Sequence, residues 1–147
     1  MSDLDALYRE LILDHSKNPQ HFGLADDAPH SGTSHQKNPV CGDEITLRAT
    51  VDGEHITAVT WEGRGCSISQ ASASMLADLV VEEGLDRAAA KELIDGFREA
   101  LRSRGTIELD EDTFGDAAAL SGVSKFSARV KCAMLAWVAL EDALAKA

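Results

Sequence analysis

The chain has 147 residues, 44% hydrophobic and 27% charged, a composition typical of one globular domain and not of a disordered segment. Its formal net charge of −11 repels phosphate backbones, and its 14 Lys and Arg residues form no basic run, so nucleic-acid binding is not expected. No apolar stretch is long enough to span a membrane, the first residues carry no secretory signal, and 3 cysteines cannot all pair in disulfides. We therefore expect a cytoplasmic protein whose thiols are buried, metal-bound or catalytic.

The N-terminal segment predicts a helix followed by a polar loop. Leucines at helical spacing indicate a helix from Asp3 to about Ser16, which Asn18-Pro19 ends. Residues 20–39 are polar and read as a surface loop, with a short strand near Ser31–His35.

A β-hairpin is the clearest element of the sequence. Residues 45–51 and 55–61 alternate between apolar and polar side chains, and Asp52-Gly53 supplies the turn between them. Alternation on both sides of Asp-Gly is the strongest short-range hairpin signal.

Helical periodicity dominates the rest of the chain. It predicts a helix that starts after Gly65 and stops at Gly84, a second from about Asp86 to Arg102, and a last one over about Ser127–Leu144. The second helix should bury one apolar face, made of Ala90, Leu93, Ile94, Phe97 and Leu101. An acidic connector at 108–116 precedes the last helix. On that helix we expect these apolar residues to be buried: Val130, Met134, Trp137, Val138 and Leu144.

Strands precede helices in this order of elements, which favours an α+β fold over a parallel α/β sheet. We expect a small antiparallel sheet of about three strands near the N-terminus, packed against helices. Residues 1–147 would form a single domain.

Two of the three cysteines lie in glycine-rich turns at the ends of the hairpin. Cys41 precedes its first strand and Cys66 follows its second. A hairpin brings its start and its end to the same edge of a sheet, so these two thiols can meet. Cys66 also opens the following helix, where unpaired backbone N–H groups favour negative charge.

Asp43 and Cys132 are the candidates that would complete a site. Asp43, two positions after Cys41, can point to the same side of an extended backbone, and three thiolates with one carboxylate make the four ligands that zinc takes. However, the spacing lacks Cys-x-x-Cys, and Cys132 on an apolar helix also fits a buried hydrophobic residue. Local chemistry leaves a shared metal site and separate structural thiols both open.

The five histidines are weaker ligand candidates. None has helical or cysteine-paired spacing, so we expect solvated or structural roles for all of them. Around a shared site, the cations Arg64, Arg129 or Lys131 would offset the negative charge of the ligands.

Four motifs in order resemble the U-type iron–sulfur cluster assembly proteins. The resemblance covers essentially the whole chain and includes Asn38-Pro39-Val40-Cys41-Gly42-Asp43, Gly65-Cys66-Ser67-Ile68-Ser69-Gln70, Arg129-Val130-Lys131-Cys132 and an N-terminal Ile12-Leu13-Asp14-His15 followed by Asn18-Pro19. The similarity is greatest to the SufU branch of the SUF system.

Three departures separate the chain from the related IscU scaffold branch. Lys131 stands where that branch has a histidine, and a chaperone-recognition segment Leu-Pro-Pro-Val-Lys is missing. Relative to that branch, the chain also carries an insertion of about 20 residues within 85–122, which falls in the predicted helix and the acidic connector.

The resemblance implies a zinc site formed by Cys41, Asp43, Cys66 and Cys132 in a protein that accepts persulfide sulfur. The donor would be a pyridoxal-phosphate-dependent cysteine desulfurase of the SufS type, and downstream cluster-assembly proteins would receive the sulfur. Cys41 is the implied acceptor, released when a desulfurase histidine replaces it on zinc. Arg129 is the implied partner contact, and Lys131 and Arg64 would lie around the ligands.

Two other functions use the same residues. The cysteines could hold an iron–sulfur cluster, transiently or as part of a scaffold on which the cluster is assembled. Alternatively, zinc could be purely structural, in which case loss of Cys41 would impair folding and not sulfur transfer.

Overall fold

The computed structural model describes residues 3–39 and 42–147, with side chains from residue 5 onward. Three strands and five α-helices follow one another as the α+β prediction requires, and an 11-residue 3₁₀ helix precedes the last α-helix. The elements are α1 (Asp3–Lys17), β1 (Ser31–Asn38), β2 (Asp43–Asp52), β3 (His55–Arg64), α2 (Ser67–Glu82), α3 (Arg87–Leu101), α4 (Glu111–Phe114), the 3₁₀ helix (Gly115–Lys125) and α5 (Ser127–Lys146).

The sheet is antiparallel in the order β1-β2-β3, and β2 and β3 form the predicted hairpin. Its two ends meet at one edge, because Glu44 near the start of β2 pairs with Arg64 at the end of β3. On the other side of β2, Asp43 pairs with Asn38 of β1. The register shifts once, between Thr50 and Val51. One sheet edge therefore holds the residues that flank the hairpin.

Helix α2 forms the centre of the helical layer and contacts α1, α5 and β3. Every side chain from Ala71 to Ala77 is buried. Its small residues let α5 approach closely, and Ser72 joins the two helices. The Ser72 hydroxyl donates to the Ala133 carbonyl at 2.6 Å and accepts from Trp137 Nε1–H at 2.8 Å.

Aromatic side chains fill the space between α3 and α5. Phe97 stacks on Trp137 with ring centroids 3.7 Å apart and ring planes 3° from parallel. The predicted inward face of α3 is confirmed, since Ala90, Leu93, Ile94, Phe97 and Leu101 are all buried.

His15 fastens α1 to the rest of the molecule. Its imidazole is buried, with Nδ1 2.7 Å from Ser74 Oγ of α2 and Nε2 2.9 Å from Asp116 Oδ2 of the 3₁₀ helix. The Gln20 amide also donates to Ser74 Oγ, at 2.7 Å. His15 thus has the structural role expected for the histidines, through contacts with residues far away in the chain.

Three expectations about elements need correction. The strand predicted near Ser31–His35 extends to Asn38. The 3₁₀ helix was not predicted from the sequence, although it buries four consecutive apolar residues from Ala117 to Leu120. Finally, Val130, Met134 and Val138 of α5 are partly exposed and not buried, because they line a surface cleft beside α3. The core side of α5 is instead built from small residues, Leu140 and Trp137.

Candidate metal centre

Asp43, the first residue of β2, turns its carboxylate toward the start of α2. The side chain is buried, with 1% of the residue exposed. Its Oδ1 accepts a hydrogen bond from the Cys66 backbone N–H at 3.0 Å, and its Oδ2 lies 4.0 Å from Cys66 Sγ. One carboxylate oxygen is therefore held by the backbone, while the other faces the thiol.

Cys66 occupies the N-cap position of α2 and has an extended backbone, with φ −71° and ψ 168°. Its carbonyl accepts from the Gln70 backbone N–H at 3.1 Å and from the Ser69 hydroxyl at 3.0 Å. The Cys66 thiol makes no capping hydrogen bond, and the group that accepts from the backbone N–H of Cys66 is the Asp43 carboxylate.

Cys132 comes from the second turn of α5 and reaches the same place. It is buried, with 2% of the residue exposed, and its Sγ lies 3.7 Å from the Ala128 carbonyl. One ligand atom from each of Asp43, Cys66 and Cys132 lies within 4.8 Å of the others. Cys132 therefore lies beside Cys66, and the alternative interpretation of Cys132 as a separate, buried structural thiol is wrong.

The three side chains have the chemistry of a zinc site. Zn²⁺ binds thiolate sulfur at about 2.3 Å and carboxylate oxygen at about 2.0–2.2 Å, so tetrahedral ligands lie roughly 3–4 Å apart. Within this cluster, Cys66 Sγ and Asp43 Oδ2 are 4.0 Å apart and no separation exceeds 4.8 Å. Two sulfurs and a carboxylate at the junction of β2, α2 and α5 form a candidate metal-binding cluster.

The absence of a side chain at Gly65 leaves room for the Asp43 carboxylate. A Cβ at position 65 would overlap Asp43 Oδ1 and Ser69 Oγ well inside van der Waals contact. Only a residue without a side chain lets the carboxylate approach the backbone at the start of α2 this closely.

Cys41, the expected fourth ligand and acceptor, lies outside the described residues. In the sequence it stands two positions before Asp43. Its membership of the site therefore stays a prediction.

The three cations expected around the ligands are all exposed. The Arg64 side chain is 81% exposed and lies 3.3 Å from Glu44 Oε2, so it pairs with a neighbour on the sheet edge. Arg129 lines a groove of about 950 Å³ that starts at Ser67 and Ile68 beside Cys66. Lys131 lines a different cleft, which it shares with Arg98, Arg102 and Arg104.

The groove beside Cys66 runs between α1 and the start of α5. Tyr8 and Ile12 of α1 form one wall, and Phe126 and Arg129 form the other. Burial raises the pKa of Tyr8, together with the hydrogen bond that its hydroxyl donates to Glu111 Oε1 at 2.9 Å. The phenol therefore stays protonated as a donor across the neutral pH range.

Unpaired cations gather at the corner between α3 and α5. Within the part of the chain that the structure describes, no carboxylate forms an ion pair with any of them. This cationic corner consists of residues that line two clefts at this place: Arg102, Arg104 and Lys131 in one, Lys125 and Arg129 in the other. A chain with a net charge of −11 thus presents a positive surface next to Cys132.

A second cluster of ligand-type side chains was not visible in the sequence. His21, Asp78 and Glu82 come together where the loop before β1 crosses α2. The only local signal is the one-turn spacing of Asp78 and Glu82, because the fold alone brings His21 to them.

Fold and site together define a class of small α+β proteins that carry a cysteine–aspartate cluster at one edge of a three-stranded sheet. The chain belongs to the family of NifU-like N-terminal domains, whose sequence model matches residues 7–133.

Its relatives confirm the resemblance to the U-type iron–sulfur assembly proteins. The zinc-dependent sulfurtransferase SufU of Bacillus subtilis is 42% identical over 99% of this chain and 94% of that protein. The iron–sulfur cluster assembly scaffold protein IscU of Streptococcus pyogenes is 38% identical over 98% of this chain and 86% of that protein.

A solved structure confirms the fold. The candidate cluster-assembly scaffold protein for the SUF system of Fervidobacterium islandicum AW-1 superposes with a TM-score of 0.81 and 34% identity, covering 92% of this chain and 94% of that one.

Among the described residues, no helix has the length and apolar character needed to cross a bilayer.

Proposed function

We propose that this protein is a zinc-dependent sulfur acceptor that takes persulfide sulfur from a cysteine desulfurase for iron–sulfur cluster assembly in the cytoplasm. The observation that carries the proposal is the convergence of Asp43, Cys66 and Cys132 at one sheet edge. With Cys41, two residues before Asp43, they make a four-ligand set for Zn²⁺. The zinc-dependent sulfurtransferase SufU, 42% identical to this chain, supports the choice of metal and activity.

The chain's own residues have distinct tasks in this proposal. Asp43 offers one oxygen to the metal while its other oxygen holds the start of α2 in place. Cys66 and Cys132 supply two fixed thiolates from two helices. When bound, zinc keeps its thiol ligands deprotonated and undergoes no redox change.

Sulfur transfer itself is a thiol–persulfide exchange at Cys41. The Cys41 thiolate attacks the terminal sulfur of the desulfurase persulfide, and a new S–S bond forms as the old one breaks. The desulfurase cysteine leaves as a thiolate, and the proton on the terminal sulfur stays with the new Cys41 persulfide. The rate then depends on the nucleophile and the leaving group as it does in disulfide exchange.

The desulfurase would dock at the exposed side of the cluster. Arg129 belongs to the cationic corner and also lines the groove that opens beside Cys66. A surface with these cations suits a partner that presents carboxylates around its own reactive cysteine. Lys131, on the next face of α5, adds to the same positive field, and Arg64 lies at the sheet edge beside the ligands.

A scaffold on which an iron–sulfur cluster is assembled is the second candidate. The 38% identity to a protein named as an IscU scaffold favours it, because both functions use the same cysteines. Lys131 in place of a histidine and the predicted insertion within 85–122 favour the sulfur acceptor.

One set of measurements tests the proposal. Untagged protein should contain about one zinc per chain by mass spectrometry. It should stimulate desulfurase turnover and should gain one sulfur atom on the peptide that contains Cys41. Cys41→Ala should reduce turnover to the level of the desulfurase alone.

Asp43→Asn should lose zinc, whereas the matched Asp26→Asn, on an exposed loop, should keep both zinc and stimulation. Unchanged turnover with Cys41→Ala would rule out the sulfur-acceptor role. A transferable, coloured cluster after anaerobic reconstitution would favour the scaffold instead.

A further inference from the structure

His21, Asp78 and Glu82 form a second group of side chains with the chemistry of metal ligands. One atom from each lies within 4.8 Å of the other two, and His21 Nε2 is 3.7 Å from Asp78 Oδ1. Asp78 and Glu82 lie one turn apart on the same face of α2. The group is distinct from the Asp43 cluster, since Asp78 is roughly 18 Å along the helix axis from Cys66.

The charge balance of this group favours a cation. Two carboxylates at (i, i+4) on a helix repel each other. Within residues 5–39 and 42–147, no Lys or Arg forms an ion pair with Asp78 or Glu82, and the His21 imidazole is the one basic group recorded against Asp78. A divalent ion between the three side chains would neutralise both carboxylates.

The His21 backbone is held in place, and the group remains open to solvent. The His21 carbonyl accepts from the Trp61 backbone N–H at 3.2 Å, and the Gln20 carbonyl accepts from Trp61 Nε1–H at 3.0 Å. The His21 backbone is thereby fixed against β3, next to α2. The His21 side chain is 26% exposed and that of Asp78 is 38% exposed, so an ion has access.

We propose that His21, Asp78 and Glu82 form a second metal site, for a divalent transition-metal ion of the zinc, cobalt and nickel class. The group offers one imidazole nitrogen and two carboxylate oxygens. These ions bind imidazole nitrogen well, whereas a site of oxygen ligands alone would favour magnesium or calcium. Bond lengths of about 2.0–2.2 Å require ligand atoms roughly 3–3.5 Å apart. His21 Nε2 and Asp78 Oδ1 are 3.7 Å apart, and no separation within the group exceeds 4.8 Å. Three protein ligands leave the remaining coordination positions to water, so the bound ion is exchangeable.

Cobalt titration of the zinc-loaded protein tests the second site. We expect one further equivalent of Co²⁺ to bind and to broaden the amide NMR signals of residues 20–22 and 78–82 selectively. Bound Co²⁺ should show no sulfur-to-metal charge-transfer absorption, which would appear if it entered the cysteine cluster. This absorption separates the two sites even if the cysteine cluster holds no zinc.

His21→Ala and the isosteric Asp78→Asn should each weaken this binding by roughly tenfold or more. Glu83→Gln, a neighbouring exposed carboxylate outside the group, should leave the binding unchanged. An unaltered cobalt titration in both variants, or broadening spread evenly over acidic surface residues, would overturn the proposal.

Discussion

The two carboxylate oxygens of Asp43 have different roles, one toward the backbone and one toward the candidate metal. Oδ1 binds the Cys66 N–H, and Oδ2 points toward the Cys66 thiol. This division depends on Gly65, whose missing side chain leaves the space that Oδ1 occupies. Gly65 therefore acts as a positioning residue for the cluster.

Gly65→Ala should displace the Asp43 carboxylate and weaken zinc binding by about 10–100-fold, the usual cost of losing support around a metal ligand. The measurement is a competition titration with a chromophoric chelator. Gly122→Ala provides the control, because a Cβ there meets no atom within 4 Å. Equal zinc affinity in the two variants would show that Asp43 does not depend on Gly65.

Asp142 is a residue whose charge links stability to pH. The hydrogen bond from Lys146 at 2.9 Å and that from Ser34 of β1 at 2.7 Å lower the pKa of its carboxyl. Because the folded-state pKa is lowered, the stabilisation is present above the unfolded pKa of about 3.9 and is lost as the pH falls through the folded value.

Asp142→Asn should therefore lower the urea midpoint at neutral pH, with a difference from wild type that disappears in acid. Unfolding curves recorded between neutral pH and the acid limit measure this difference. Asp52→Asn, in the exposed hairpin turn, is the comparison. A difference that persists below the folded-state pKa would mean that shape, and not charge, explains the effect.

At the scale of elements, α2 and α5 are joined by one buried hydroxyl. Ser72 both donates to α5 and accepts from it. Ser72→Ala should leave the buried Trp137 Nε1–H without an acceptor, while the Ala133 carbonyl keeps its helical hydrogen bond, and should lower the free energy of unfolding by about 1–3 kcal/mol. Ser67→Ala, exposed on the same helix, should change it by less than about 0.5 kcal/mol in denaturant unfolding. Similar losses in both variants would contradict this role for Ser72.

The elements that the sequence predicted well are those with a strong local pattern. The hairpin around Asp52-Gly53 and the inward face of α3 follow from periodicity alone, and both are confirmed. The 3₁₀ helix escaped prediction because a run of small buried residues such as Ala117–Ala119 gives no 3.6-residue stripe. In α5, Met134 is partly exposed while four alanines are buried, so residue size misled the assignment of the core face; the four are Ala133, Ala136, Ala139 and Ala143.

The candidate site was predictable only in part. The hairpin brings Asp43 to Cys66, and this follows from sequence spacing. Local chemistry left Cys132 open as either a ligand or a buried core residue, and only the family resemblance favoured the ligand. His21 and Asp78 meet through tertiary packing between segments that carry no shared motif, so sequence reasoning could not pair them. The fourth ligand, Cys41, and the insertion within 85–122 stay predictions.

At the scale of the whole molecule, the cysteine cluster fastens three elements from distant parts of the chain. A metal that binds only the folded state stabilises it by RT ln(1 + [L]/Kd), about 2.7 kcal/mol at a free concentration of 100 Kd. For a chain of this length we expect zinc removal by a chelator to lower Tm by about 5–11 °C. Calorimetry before and after chelation measures the shift.

Asp43→Asn should show a much smaller shift, because its site has lost one ligand. Zinc added back in slight excess to the chelated wild-type protein should restore its original Tm. Identical melting of the chelated and zinc-loaded wild-type proteins would contradict a metal that is coupled to folding.

The two tryptophans have different aromatic neighbours. Trp137 is stacked on Phe97 between α3 and α5, whereas Trp61 meets Phe22 edge-on with ring centroids 4.9 Å apart and hydrogen-bonds the residue before His21. Intrinsic fluorescence therefore contains two separable signals, one from the helical core and one from the loop over β3. In Trp137→Phe protein, a paramagnetic ion near His21 would quench the remaining emission, and the loop could be followed in real time without an added label.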